Sequence, residues 1–278
     1  MSQPAFAFRS HHALERLLTF ELRLICRTGL HIGAGKSSLL VGSDLPVMRD
    51  AAGRPLVPGS SLRGILRAGI SAVAETLNLD AALGVDAAAA KPTGPGVEAA
   101  WVGWSLADRL FGRVALAKGE HSYSSRLQLS DLLLEAGEEE AVVVELRDGV
   151  GIERETRTAG NSVKYDLEVV PAGTRFRGRV RFKNPWDYEI GALAQALWML
   201  DQGLLLLGGK SARGLGWMQV EVSPPQLRTA AEILARSVAS AEPTQFGEVE
   251  QHFAPYLEKL ETLRGAAAEN RIAEEEAV

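Results

Sequence analysis

Residues 174–183 read TRFRGRVRFK, and every second position is basic: Arg175, Arg177, Arg179, Arg181 and Lys183. A period of two is the signature of a β-strand. One face of this strand is apolar or small and the other is cationic. Residues 19–27 (TFELRLICR) alternate in the same way and predict a second half-buried strand.

The intervening and following segments place these strands in a larger order. Residues 29–38 form a glycine-rich loop, and Pro46 holds the short run around it extended. Residues 50–53 read as a turn, and Pro55 and Pro58 keep the next stretch out of helix. Ser60 or Ser61 is expected to cap a helix with the apolar face Leu62, Ile65, Leu66, Ile70, Val73 and Leu77. Arg63 and Arg67 lie four apart on its exposed side. Residues 78–125 are weakly patterned and read as an irregular insertion with some helix. Residues 126–134 and 141–146 read as strands. The polar run 148–164 reads as an exposed hairpin or loop. A helix over 188–202, a second glycine loop over 204–216 and a strand over 217–222 follow. Pro224 and Pro225 are expected to end the domain, with two helical segments and an acidic tail beyond. This order predicts an α+β fold, a ferredoxin-like antiparallel sheet with helices on one face.

The 278 residues suffice for one large domain or two small ones. No apolar run approaches the roughly 18 residues of a membrane span, and the polar start lacks a signal-peptide core. A single cysteine, Cys26, excludes an internal disulfide framework and a multi-cysteine zinc site. These features predict a soluble, cytoplasmic protein. The net charge of −5 argues at first against nucleic acid. Its distribution removes that argument. Residues 221–278 carry 11 acidic and 5 basic side chains, whereas the remainder carries 24 and 25.

Two loops imitate a phosphate-binding P-loop and fail. The motif needs a glycine five residues before its final Gly-Lys-Ser. Leu30 stands there for Gly35-Lys36-Ser37, and Leu204 stands there for Gly209-Lys210-Ser211. Neither loop holds G-x-G-x-x-G, so a dinucleotide fold is unsupported too. Glycine backbone can still approach a phosphodiester closely, with charge from Lys36, Lys210 and Arg213. Tight turns alone would also explain these glycines. The five histidines show no helical metal spacing. His31, inside the first glycine loop, is either a general base, an RNA contact or a satisfied loop residue. Asp44, in Gly42-Ser43-Asp44-Leu45-Pro46-Val47, could hold Mg²⁺ or orient a 2′-hydroxyl, or simply form an Asx turn.

Taken together, six motifs resemble the RAMP superfamily. They are Gly29-Leu-His-Ile-Gly33-Ala-Gly35, Gly42-Ser-Asp44-Leu-Pro46-Val, Pro58-Gly-Ser-Ser-Leu-Arg63-Gly64, the segments 147–159 and 165–176, and Leu207-Gly-Gly-Lys210-Ser-Ala-Arg213-Gly-Leu-Gly216. The middle segments resemble the repeated backbone subunit of type III CRISPR effector complexes. The resemblance spans roughly residues 19–222, with the insertion at 78–125, a protruding thumb at 148–164 and a helical acidic extension at 223–278.

The resemblance implies an RNA-recognition fold that assembles head to tail with copies of itself and other type III effector subunits along a guide RNA. It implies RNA contacts from His31, Gly33, Gly35, Lys36, Ser60, Ser61, Arg63, Arg67, Arg154, Arg157, Lys164, Gly208, Gly209, Lys210, Arg213 and Gly214. It also implies metal-dependent cleavage of complementary target RNA, with Asp44 as the catalytic residue, beside a divalent metal such as Mg²⁺. Three readings stay open: a cleaving backbone subunit, a purely structural one, and a guide-processing ribonuclease that uses His31.

Overall fold

The computed structural model describes residues 11, 13–35, 43–83, 104–114, 122–138, 142–152, 159–235 and 245–276. In chain order the elements are β1 (Arg16–Cys26), α1 (Gly59–Thr76), α2 (Leu79–Ala82), α3 (Leu106–Phe111), β2 (Leu127–Leu129), β3 (Leu133–Leu134), β4 (Glu145–Ile152), β5 (Ala159–Val169), β6 (Arg175–Lys183), α4 (Asp187–Asp201), β7 (Met218–Val222), β8 (Gln226–Thr229), α5 (Ala230–Leu234) and α6 (Val249–Glu276).

The strand predicted from its arginines is β6, and it pairs antiparallel with β1 from Leu17↔Lys183 to Ile25↔Arg175. The main sheet runs β2-β6-β1-β7, with β3 also on β6 and β8 also on β1. Leaving the hairpin β4–β5 aside, the chain is a β-α-β-β-α-β unit with its strands in spatial order 4-1-3-2. This is the ferredoxin-like arrangement the sequence predicts. Alternation buries one side of each strand: Leu18, Phe20, Leu22 and Leu24 on β1 meet Phe176, Val180 and Phe182 on β6, all at most 3% exposed. Leu62, Leu66 and Ile70 of α1 and Ile190, Leu193, Leu197 and Leu200 of α4 close that face.

Several boundaries differ from the expectation for physical reasons. β1 starts at Arg16, because Asn184 Oδ1 accepts from the Glu15 and Arg16 N–H groups at 2.8 and 3.2 Å. α1 starts at Gly59 after Pro58, so neither Ser60 nor Ser61 is its cap. Asp131, 72 residues away, accepts the Gly59 N–H at 2.8 Å instead. The strand expected over 126–134 is two pieces, β2 and β3. The strand expected over 141–146 begins at Glu145 and continues through the stretch expected to be exposed.

The chain does not leave the body at Pro224. β8 pairs with the first half of β1, end to end with β7 along the same edge. Gly247 bridges Val222, and α6 then packs Val249, Phe253, Leu260 and Leu263 into the common core. Phe253 meets Phe20 edge-on at 5.1 Å between centroids. Gly191 on α4 lies against the Tyr256 carbonyl, so close that a Cβ would collide with it. Among the described residues no helix is long and apolar enough to cross a membrane. Burial pushes the Cys26 thiol up to about 12, so it is no nucleophile at neutral pH.

Arg126 and Glu189 form an ion pair with both side chains fully buried. Arg126 also donates to the Arg109 and Asn184 carbonyls at 3.0 and 2.8 Å, and Glu189 accepts the Trp186 N–H at 2.8 Å. The pair therefore joins the start of β2 to the start of α4. Replacing Glu189 by Gln leaves a buried guanidinium uncompensated. The Glu189→Gln protein is expected to lose about 3–5 kcal/mol of stability, read as a lower midpoint in urea unfolding with an unchanged slope.

Candidate nucleic-acid interface and carboxylate site

Both glycine loops dock on the end of β5. Leu30 and Val170 exchange main-chain hydrogen bonds at 2.9 and 2.8 Å. The His31 carbonyl accepts the Gly209 N–H at 2.8 Å, and the Gly29 carbonyl accepts the Gly216 N–H at 2.9 Å. His31 is 6% exposed, with Nδ1 at 2.8 Å from the Glu168 carbonyl. A carbonyl only accepts, so Nδ1 carries the proton in this contact. His31 is thus a peg between the loops and β5. Gly208 has φ +84° and faces the His31 carbonyl, where a Cβ would collide.

Gly33, Gly35, Gly208, Gly209, Arg213 and Gly214 are exposed along this rim. Lys210 Nζ and Arg213 Cζ stand 5.2 and 5.7 Å from the centroid of the Tyr165 ring. Gly149 on β4 lies against the same ring, and any side chain there would overlap it. The result is an aromatic ring topped by two cations, a geometry suited to a phosphate with a base beside it. Lys36, Arg154 and Arg157 fall outside the described residues. Lys164 stands opposite Val150 in the hairpin register.

The carboxylate sits on the same strand. Residues 43–45 lie alongside β5, with a single parallel bridge from Leu45 to Leu167. Leu45 N–H donates to the Asp166 carbonyl at 3.1 Å, and Glu168 N–H donates to the Leu45 carbonyl at 3.1 Å. Asp44 is exposed, and its Oδ2 accepts the Asp166 N–H at 3.0 Å. Glu168 clamps the continuation of the loop: one carboxylate oxygen accepts from Val47 N–H at 2.9 Å and from Arg49 at 3.1 Å.

Asp166 neighbours Asp44 on one side, and Asp148 stands opposite it on the other. Like charges set directly across strands repel. The Asp166 Oδ1 is buried without a hydrogen-bond partner among the described residues. The exposed Asp44 carboxylate is an oxygen donor of the kind that suits a hard divalent cation keeping most of its own water. Among the described residues no group of three or more His, Cys, Asp or Glu forms a closed metal cage.

Other expected RNA contacts lie elsewhere. Ser60 and Ser61 are in the first turn of α1. Arg67 donates to the Gly112 carbonyl at 2.6 Å and to Asp108 at 2.5 Å, and Arg63 donates to the Phe111 carbonyl. Both arginines therefore clamp the end of α3. The basic face of β6 is the open face of the sheet, but much of its charge is answered. Arg175 pairs with Glu138, and Arg177 and Arg179 both meet Glu21. Arg23 pairs with Glu135 at 2.5 Å and Glu221 at 2.9 Å, under the Phe246 ring at 3.8 Å. Among the described residues Arg181 and Lys183 form no ion pair.

The match of the RAMP superfamily to residues 23–219 covers both glycine loops, the Asp44 loop and the hairpin. The chain belongs to the RAMP superfamily. Two relatives share shorter stretches with it, each named CRISPR system Cms endoribonuclease Csm3. The protein of Methanothermobacter thermautotrophicus is 52% identical over 46 residues, 16% of this chain and 19% of the relative. That of Methanocaldococcus jannaschii is 60% identical over 42 residues, 15% of this chain and 17% of the relative. The matched stretches thus span less than a fifth of either relative. A chain of a solved structure described as Type IV-B CRISPR Complex aligns over 81% of this chain and 94% of its own, at 21% identity and a TM-score of 0.49.

Within this RAMP domain the sequence did not single out Ser43, Asp166 or Glu168 as site residues. The alternation of Asp166 and Glu168 along β5 was the available signal, since it places two carboxylates on one face. At Gly208 a left-handed φ coincides with a main-chain collision. The Gly208→Ala protein is expected to lose on the order of 1–3 kcal/mol, seen as a lowered thermal midpoint, whereas Gly214→Ala, with open space at Cβ, loses less.

Proposed function

We propose that this RAMP protein is an RNA-binding backbone subunit of a type III CRISPR effector complex, holding guide RNA and cleaving complementary target RNA. The observation that carries this reading is the exposed Asp44 carboxylate, held by the Asp166 N–H at the root of the β4–β5 hairpin and beside the glycine rim. Membership of the RAMP superfamily and short, high-identity stretches shared with proteins named endoribonuclease Csm3 support it. The partners in this reading are guide RNA, target RNA, further copies of the chain and other effector subunits.

In this mechanism the rim binds the guide backbone, with Lys210 and Arg213 on its phosphates and the glycine N–H groups within reach of phosphate oxygens. The hairpin is the thumb. Val150, half exposed on β4, enters the duplex and unstacks a target base step. An unstacked ribose can place its 2′-hydroxyl in line with its own phosphodiester. Asp44 accepts the hydroxyl proton as the oxygen attacks phosphorus and the 5′-oxygen leaves. A divalent cation held by Asp44 would supply charge neutralisation at the phosphate.

The structural alternative shares every binding contact and lacks the chemistry. The guide-processing alternative needs a mobile, accessible His31. That residue is instead buried and committed to Glu168 and Gly209.

Asp44→Ala removes one exposed carboxylate, so the assembled complex is expected to keep guide and target while losing target cleavage by at least about 10²-fold. Unchanged cleavage would identify the structural alternative. Lys210→Ala and Arg213→Ala are each expected to lower RNA affinity across all sequences and to flatten the salt dependence of log K by about one. A filter-binding titration over salt concentration checks this.

A further inference from the structure

Ser43 is a buried polar residue, 8% exposed, directly before an exposed carboxylate. Its hydroxyl donates to the Asp166 carbonyl at 2.9 Å and accepts the Leu45 N–H at 3.3 Å. One residue later, Asp44 Oδ2 accepts the Asp166 N–H at 3.0 Å. Two consecutive side chains of the loop thus grip the two main-chain groups of a single hairpin residue.

The two grips are unequal. Asp44 is exposed, and water can replace the Asp166 N–H at its carboxylate. The Ser43 hydroxyl is buried, and a buried polar group that loses its partner costs about 1–3 kcal/mol. The Ser43 bond is therefore the one that persists. Leu45 keeps the loop near β5 through its main chain from beyond Asp44, and Ser43 holds it from the other side.

We propose that Ser43 is a positioning residue, which fixes the Asp44 carboxylate to β5 at the root of the hairpin. The inference rests on the reading of Asp44 as the cleaving group. It adds that cleavage depends on this hold. The gripped groups of Asp166 are main-chain groups, so Ser43 is the side chain through which this link can be cut.

The experiment uses the assembled complex with guide RNA and measures target affinity and single-turnover cleavage in parallel for Ser43→Ala, Ser43→Thr and Asp44→Ala. Ser43→Ala is expected to cut the cleavage rate about 10- to 100-fold while guide retention and target affinity stay unchanged. Ser43→Thr keeps the hydroxyl and is expected to recover most of the rate. If Asp44→Ala cleaves normally, the cleavage reading falls and takes this proposal with it. If Asp44→Ala is dead and Ser43→Ala cleaves at the parent rate, the positioning role alone is overturned. Equal losses of affinity and rate in Ser43→Ala, or failure of Thr to recover the rate, overturn it as well.

Discussion

The site depends on where five residues of main chain at the end of β5 send their hydrogen bonds. Residues 166–170 bind the Asp44 loop through Asp166 and Glu168, and the first glycine loop through Leu30 and Val170. The Glu168 carbonyl holds the His31 ring, and His31 holds the second glycine loop. Three segments separated by up to about 170 positions in sequence thus take their places from one strand end. Each bond is worth on the order of 1 kcal/mol. Together they leave the glycine rim and the carboxylate no independent positions.

Electrostatics sorts the surfaces of the molecule. The open face of the sheet looks cationic from β6 alone, yet Glu21, Glu135, Glu138 and Glu221 answer four of its arginines. Exposed pairs of this kind contribute little to stability. Their effect is to lower the field over that face, where Arg181 and Lys183 keep their charge without an ion pair among the described residues. The sheet strands also carry no aromatic side chain on this face for a base to stack on.

The fold was legible where a short-range pattern carried it. The alternation of β6 and β1 and the apolar stripes of α1 and α4 are properties of contiguous windows, and their elements stand close to the expected bounds. What escaped was long-range. The cap of α1 is Asp131, so no reading of Ser60 and Ser61 could find it. β8 and α6 look like an appendage in sequence because their partners, β1 and α4, lie about 210 and 60 residues earlier. In the site, Asp44 and the glycine loops were readable from local composition. Arg63 and Arg67 were placed on the exposed side of α1 and expected to contact RNA, because the carbonyls at the end of α3 that they bind lie in a weakly patterned stretch. Ser43, Asp166 and Glu168 went unmarked because their partners lie across the pairing of the Asp44 loop with β5, about 120 residues apart in sequence.

The sharing of one edge of β1 between β7 and β8 has a consequence for how the chain can be divided. The first half of β1 has no partner on that edge until residues 226–229 have been made. Its other edge is held by β6, some 160 residues downstream of its own start. During synthesis the N-terminal strand therefore waits for nearly the whole polypeptide. A protease cut near Pro224 would uncover a row of main-chain donors beside Leu17 and Leu18, and with α6 gone Phe20 would lose its Phe253 partner. Such a fragment would be adhesive rather than minimal, and the acidic residues after Glu221 would leave with the cover.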